Sequence, residues 1–342
     1  MKQVLVILGS CLTFLSSLFT GVKKDFLLPI TSWESFEESQ RPLLKYTFSS
    51  LSQREYLGSE IKLGKVLNDQ PAFKSYLFSY LSDGKKVTGL ANIPKKAGKL
   101  PVVVMIRGYV DLQVYQTGVG TKKPAEFFAQ NGFITLALDF LGYGGSDPEE
   151  KDILINRFER PVTVLNLLAS IKSLPQADTG NIFLWGHSNG GQIAISVLEI
   201  SEKSIPTTLW APVTRGFPES VLNYSGELDD NGKMVADRIA EFEKDYDPKQ
   251  FSISEYFDKI NAPIQIHLGT YDEYIKPEWI KEFVNKLKSL GKEVTFYSYP
   301  KNNHQLSRDW DTVVQKDLEF FRKNLKYVMR NLNFDTFRKS NL

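Results

Sequence analysis

Among 342 residues the chain has a single cysteine and only three histidines. Cys11 stands alone in an apolar N-terminal stretch, so no disulfide can form within the chain. A metal site built on cysteines is excluded for the same reason. A histidine base must be chosen from His187, His267 and His304. Charge of one sign is also missing. Lys+Arg total 42 and Asp+Glu 40, a net of +2, which gives no electrostatic reason to expect a nucleic-acid partner. No internal repeat or low-complexity tract is found. What remains, 42% hydrophobic and 24% charged residues, is the balance of a globular protein with one large α/β domain.

Long apolar runs are scarce too, apart from Val4 to Phe19. That run follows Met1-Lys2 and is stopped by Lys23-Lys24, so residues 1–24 are expected to be a signal peptide or membrane anchor. Phe19-Thr20-Gly21 lacks the paired small residues of a cleavage site. Leu8-Gly9-Ser10-Cys11 looks like a bacterial lipoprotein box, but few apolar residues precede Cys11. The expected location is exported or membrane-anchored, outside the cytoplasm. The tail 331–342 is basic, and residues 321–342 carry six bases and one acid, which suits contact with an anionic membrane surface.

Residues 25–70 are mixed and read as an N-terminal extension. From Phe73 the pattern is regular. Ser75 to Tyr80 and Val87 to Ile93 read as strands around a Ser82-Asp83-Gly84 turn. Val102 to Ile106 is a continuous apolar run bounded by turn signals, as in a strand buried on both faces. Strands at 133–138, 182–185, 207–210, 263–268 and 294–299 then alternate with helices near 124–130, 152–174, 190–200, 277–289 and 311–329. This alternation predicts an α/β fold over residues 71–330, a mostly parallel sheet with helices on both faces. Residues 213–255 break the rhythm. They read either as a lid insertion or as a long crossover helix with solvated charges.

The strongest chemical signal is Gly186-His187-Ser188-Asn189-Gly190-Gly191, placed after an apolar strand and before an apolar-periodic helix. A G-x-S-x-G in that context makes a sharp turn that exposes the serine at a helix N-terminus. A serine hydroxyl is a weak nucleophile and needs a base. His187 is adjacent but points away on such a turn. His267 lies inside an apolar strand and reads as a core histidine. His304 lies in the polar loop after the last strand, at the sheet edge that carries Ser188, and is the predicted base. Asp272, in Gly269-Thr270-Tyr271-Asp272, follows the preceding strand and is the predicted orienting acid, with Glu273 as the alternative. It lies 84 positions after Ser188 and 32 before His304. The predicted oxyanion donors are the N–H of Asn189 and a group of Tyr109, either its N–H or its hydroxyl. Tyr143 and Trp210 lie on loops expected to border a substrate pocket, where they could line an apolar site, although packing beneath the lid is the favoured role for each. Arg107 is expected to form a salt bridge with Asp111 or Asp139.

These pieces carry a resemblance. Ser82-Asp83-Gly84, Pro101 to Val104, Asp139 to Asp147, the Ser188 elbow, Gly269 to Asp272 and the His304 loop resemble the α/β-hydrolase catalytic domain of the prolyl-oligopeptidase family. The family's usual His-Gly before the oxyanion loop is replaced by Arg107-Gly108, and the chain has no room for a β-propeller. The resemblance implies a serine hydrolase acting on a small-molecule or short-peptide substrate through an acyl-enzyme, without metal or organic cofactor. A carboxylesterase on small or carbohydrate-linked esters is the alternative. A binding protein with an idle triad is the alternative of another class.

Overall fold

The computed structural model describes residues 41–226 and 230–326. The segments expected to be a targeting sequence and a basic tail lie outside the described residues. A nine-stranded sheet organises the described residues. Its strands are β1 (Lys62–Asp69), β2 (Phe73–Ser82), β3 (Lys85–Pro94), β4 (Leu100–Ile106), β5 (Ile134–Leu138), β6 (Ala177–His187), β7 (Thr207–Trp210), β8 (Ile264–Gly269) and β9 (Val294–Tyr299). Their order is β1-β2-β3-β5-β4-β6-β7-β8-β9. The β1–β2, β2–β3 and β3–β5 pairs are antiparallel, and every later pair is parallel. The β2–β3 hairpin turns at Asp83-Gly84, both at positive φ, as a two-residue loop requires.

The helices are α1 (Phe48–Gln53), α2 (Lys122–Gln130), α3 (Ile153–Ser170), α4 (Asn189–Ser201), α5 (Glu219–Ser225), α6 (Lys233–Phe242), α7 (Pro277–Ser289) and α8 (Trp310–Lys323). The sheet is covered on both faces. Along β4 the side chains alternate between two apolar clusters, Val102, Val104 and Ile106 facing one and Val103 and Met105 the other. The first cluster is closed by residues of α3, α4 and α7, including Val164, Val197 and Leu287. The second is closed by Phe128 of α2 and Phe321 of α8, whose rings lie 5.3 Å apart. Complete burial of the β4 run explains why its sequence is apolar rather than alternating.

Residues 43–69 differ from the mixed extension read from sequence. Leu43, Tyr46, Phe48, Leu51 and Ile61 are core residues, and β1 extends the sheet at its edge. Because β6, β8 and β9 are parallel, their carboxyl ends face one way. The loops that follow them hold Ser188, Asp272 and His304. The segment between β7 and β8 forms α5, α6 and 3-10 turns, not a single crossover helix.

Candidate active site

Ser188 sits between β6 and α4 at φ 56° and ψ −123°. A non-glycine residue held there costs about 1–3 kcal/mol and persists only when its surroundings over-determine it. Here they do. The Ser188 N–H donates to the Trp210 carbonyl at 2.9 Å, and the Ser188 carbonyl accepts from Gly191 at 2.9 Å and Val213 at 3.1 Å. A Cβ on Gly190 would stand 2.1 Å from the Ile106 carbonyl oxygen, so only glycine lets the elbow seat against the end of β4. The Ser188 hydroxyl is not used to cap α4. Asn189 opens that helix, where backbone N–H groups lack intrahelical partners and the dipole favours negative charge.

The predicted acid and base are joined directly. The Nδ1–H of His304 faces both carboxylate oxygens of Asp272, at 3.0 and 2.9 Å. The Asp272 side chain is wholly buried and that of His304 is 8% exposed. Asp272 also accepts from the backbone N–H groups of Tyr274 at 2.9 Å and Ile275 at 2.7 Å, which fixes its orientation. Glu273, the alternative acid, accepts the backbone N–H of His304 at 2.9 Å and so holds the base's main chain instead of its ring. The two loops are stitched together by Thr270 N–H to Tyr299 and Tyr271 N–H to Asn302, both 2.9 Å. A Cβ on Gly269 would lie 2.2 Å from the Asn302 carbonyl oxygen, so this closeness also requires glycine.

Ser188 is brought to the same place through its neighbour. The His187 ring lies 4.7 Å from the His304 ring, and its Nε2–H donates to the His304 carbonyl at 3.1 Å. Burial, then the nearby His304, pushes the His187 imidazole down to about 4, so it is neutral at ordinary pH. Sequence reasoning assigned His187 no part in the site. Its burial beside a turn-borne serine is visible only in three dimensions. Among the described residues no hydrogen bond joins the Ser188 hydroxyl to His304, a contact that in substrate-free sites is often long.

The loop after β4 is built on Arg107, which is 3% exposed. Its guanidinium donates to the carbonyls of Gly108 at 2.9 Å and Asp139 at 3.0 Å. It lies against the rings of Tyr143 and Tyr115, at 4.1 and 4.6 Å from their centres. The expected salt bridge is therefore replaced by carbonyl bonds and aromatic stacking. The Asp139 carboxylate accepts from the hydroxyls of Thr88, Tyr115 and Thr117 instead, and burial raises its pKa. Tyr109, at the tip of this loop, is 72% exposed. Gly108 lies close beneath, where a Cβ would come 3.0 Å from the Ser188 Cβ.

Tyr143 and Trp210, the predicted pocket aromatics, are both buried side chains. Tyr143 is buried and bonds the Val110 carbonyl at 3.2 Å, so it braces the loop. Trp210 is buried on the far cluster, its indole N–H donating to Asp317 at 2.7 Å. That aspartate also bonds His267 at 2.9 Å, and Tyr299 meets the other ring nitrogen at 2.8 Å. His267 is thus the core histidine its strand suggested.

The space beside the elbow is elsewhere. A cavity of about 370 Å³ runs along α4 past Asn189, Gln192 and Ser196. Its far wall is α3, and Phe217, Val221, Met234 and Phe251 of the 213–255 segment cover it. Arg238 of α6 pairs with Asp152 at 2.7 Å, and Asp152 also caps α3, which pins the covering segment in place.

Comparison with known proteins agrees with this geometry. The serine aminopeptidase (S33) family model matches residues 103–218, which contain the elbow. The chain is 26% identical over 247 residues to the uncharacterized peptidase YtmA of Bacillus subtilis, covering 68% of this chain and 90% of that one. It is 25% identical over 263 residues to the acetyl esterase Axe7A of Xylanibacter ruminicola, covering 68% of this chain but only 56% of the esterase. Among solved structures, the acylaminoacyl peptidase of Pyrococcus horikoshii superposes with a TM-score of 0.58 at 19% identity, over 79% of this chain and 45% of the peptidase. With this sheet and this elbow, the chain has the α/β-hydrolase fold, and its likeness to serine peptidases and esterases makes it a serine hydrolase that resembles the catalytic domain of the prolyl-oligopeptidase family.

Proposed function

We propose that Ser188, His304 and Asp272 act as nucleophile, base and orienting acid in hydrolysis of peptide or amide bonds. The observation that carries this reading is the buried His304–Asp272 pair beside a strained serine elbow. His304 takes the Ser188 proton as Oγ attacks the carbonyl carbon. Asp272 keeps the proton on Nδ1 and stabilises the imidazolium. The N–H of Asn189 and a donor from the Tyr109 loop receive the negative oxygen. Collapse expels the amine with the proton from His304, and water activated by the same ring hydrolyses the acyl-enzyme. The match to a serine aminopeptidase model and the Bacillus relative support the peptidase reading. The likeness to an acetyl esterase favours a second reading, cleavage of small esters by the same steps.

Kinetics on aminoacyl p-nitroanilides and on p-nitrophenyl acetate, wild type beside Ser188→Ala, test both readings. Anilide turnover abolished by Ser188→Ala is the expected result. Ester turnover without any anilide cleavage would reject the peptidase reading and leave the second.

A further inference from the structure

Among the described residues, the cavity along α4 has two cationic lining residues, Arg157 and Arg160, and no acidic one. Both come from α3, three positions apart, and therefore from one face of the helix. They differ in their partners. Arg157 bonds the Gln192 side chain and the Ser220 hydroxyl, tying α3 to α4 and to the covering segment. Arg160 has no salt bridge or hydrogen bond among the described residues, and its Nε is buried without a partner. Its guanidinium carbon lies 5.9 Å from the centre of the Phe140 ring. Tyr143, Tyr109, Arg107 and Glu149 lie within electrostatic reach. Glu149 is itself engaged by the Asn156 side chain. Arg160 is half-buried, and desolvation pulls its guanidinium below the usual pKa, as for a cation set in a largely apolar wall with no anion bonded to it.

Arg160 thus has no hydrogen-bonded or ion-paired partner among the described residues, whereas the guanidinium groups of Arg157 and Arg107 are bonded into the structure. Arg160 shares its cavity with Asn189, the residue after the predicted nucleophile. The remaining lining is chiefly apolar, including Ile153, Phe158, Ile193 and Val235. A planar guanidinium presents paired donors that match a carboxylate. We propose that this cavity is the acyl subsite, and that Arg160 binds a carboxylate carried by the acyl portion of the substrate. The favoured substrates are then esters or amides of acids that have a second carboxylate separated from the scissile carbonyl by an apolar stretch. This rests on the reading of Ser188 as nucleophile.

Mono-p-nitrophenyl esters of straight-chain diacids with four to eight carbons test it, each compared with the neutral p-nitrophenyl ester of equal length. The wild type should prefer the diacid ester at one or more lengths. Arg160→Gln should cut that kcat/KM ratio by about tenfold or more, the usual scale of one charge-assisted contact. Arg160→Lys should retain part of the preference, and melting curves of both variants check folding. No preference at any length overturns the proposal, as does a preference that survives in a folded Arg160→Gln. Fluorophosphonate labelling separates the two levels. A wild type labelled at Ser188 but indifferent to the second carboxylate overturns the Arg160 assignment alone. A wild type that neither labels nor turns over any ester overturns both.

Discussion

The Nε2–H of His187 donates to the backbone carbonyl of His304 at 3.1 Å, and the two rings stand 4.7 Å apart. The residue beside the predicted nucleophile thus holds the main chain of the predicted base. With Glu273 on the N–H and His187 on the carbonyl, both backbone polar groups of His304 are tied down. The ring is then left to Asp272. This clamp works through a neutral imidazole, and burial supplies one.

Removal of the clamp is testable. His187→Phe keeps an aromatic ring and deletes the donor. Its kcat/KM should fall about tenfold, the scale of one lost neutral hydrogen bond plus a loosened base. The same variant tests the pKa. His187 titrates near 4 when folded and at its ordinary value of 6.5 when unfolded. The unfolded chain therefore binds the extra proton first. Stability from this group is complete above pH 6.5 and is lost as pH falls toward 4, by on the order of 3 kcal/mol. Chemical denaturation across that window should give a shallower acid loss in His187→Phe than in the wild type. Parallel slopes would reject the buried, neutral assignment.

Asp272→Asn probes the other side of the base. An amide of the same shape can keep the ring in place but no longer selects the proton on Nδ1 or stabilises an imidazolium. A loss of about 10⁴ in kcat is expected, by analogy with the same exchange in other triads. Glu273→Gln, which can still accept the His304 N–H, should lose less than tenfold. Comparable losses in the two variants would show that the acid had been assigned to the wrong residue. Steady-state kinetics with one chromogenic substrate serves for both.

The positions of the elbow, acid and base in the chain follow from local signals. Gly186-His187-Ser188-Asn189-Gly190 marks a strand-to-helix turn by itself, and the order of strands places the other two loops at the same edge. The parts that were not legible depend on packing between distant segments. The β1 strand has a nearly all-exposed pattern, so hydrophobic alternation cannot reveal it, and only its pairing with β2 makes it a strand. Trp210 and Tyr143 carry the same aromatic character whether they line a pocket or fill a core. The direction of a side chain decided that, and the sequence does not state it. Arg160 looks like any charge on an amphipathic helix until Phe217, Val221, Met234 and Phe251 close the cavity that it lines.

Glu199 is 2% exposed near the end of α4, and among the described residues neither of its carboxylate oxygens is hydrogen-bonded. Burial, aided by the negative charge of Asp258, raises its pKa well above the ordinary value. The folded chain therefore holds a proton that the unfolded chain releases near pH 4.5. Stability from this group is present below that pH and is lost as pH rises toward the folded pKa. Glu199→Gln fixes a neutral side chain of the same shape. Its melting temperature should match the wild type in mild acid and exceed it increasingly as pH rises through neutrality. The difference should reach a few degrees, the usual response of a large domain to about 1 kcal/mol. Melting curves from pH 5 to 9 decide the matter: a constant offset between the two proteins would mean that Glu199 is not protonated in the fold.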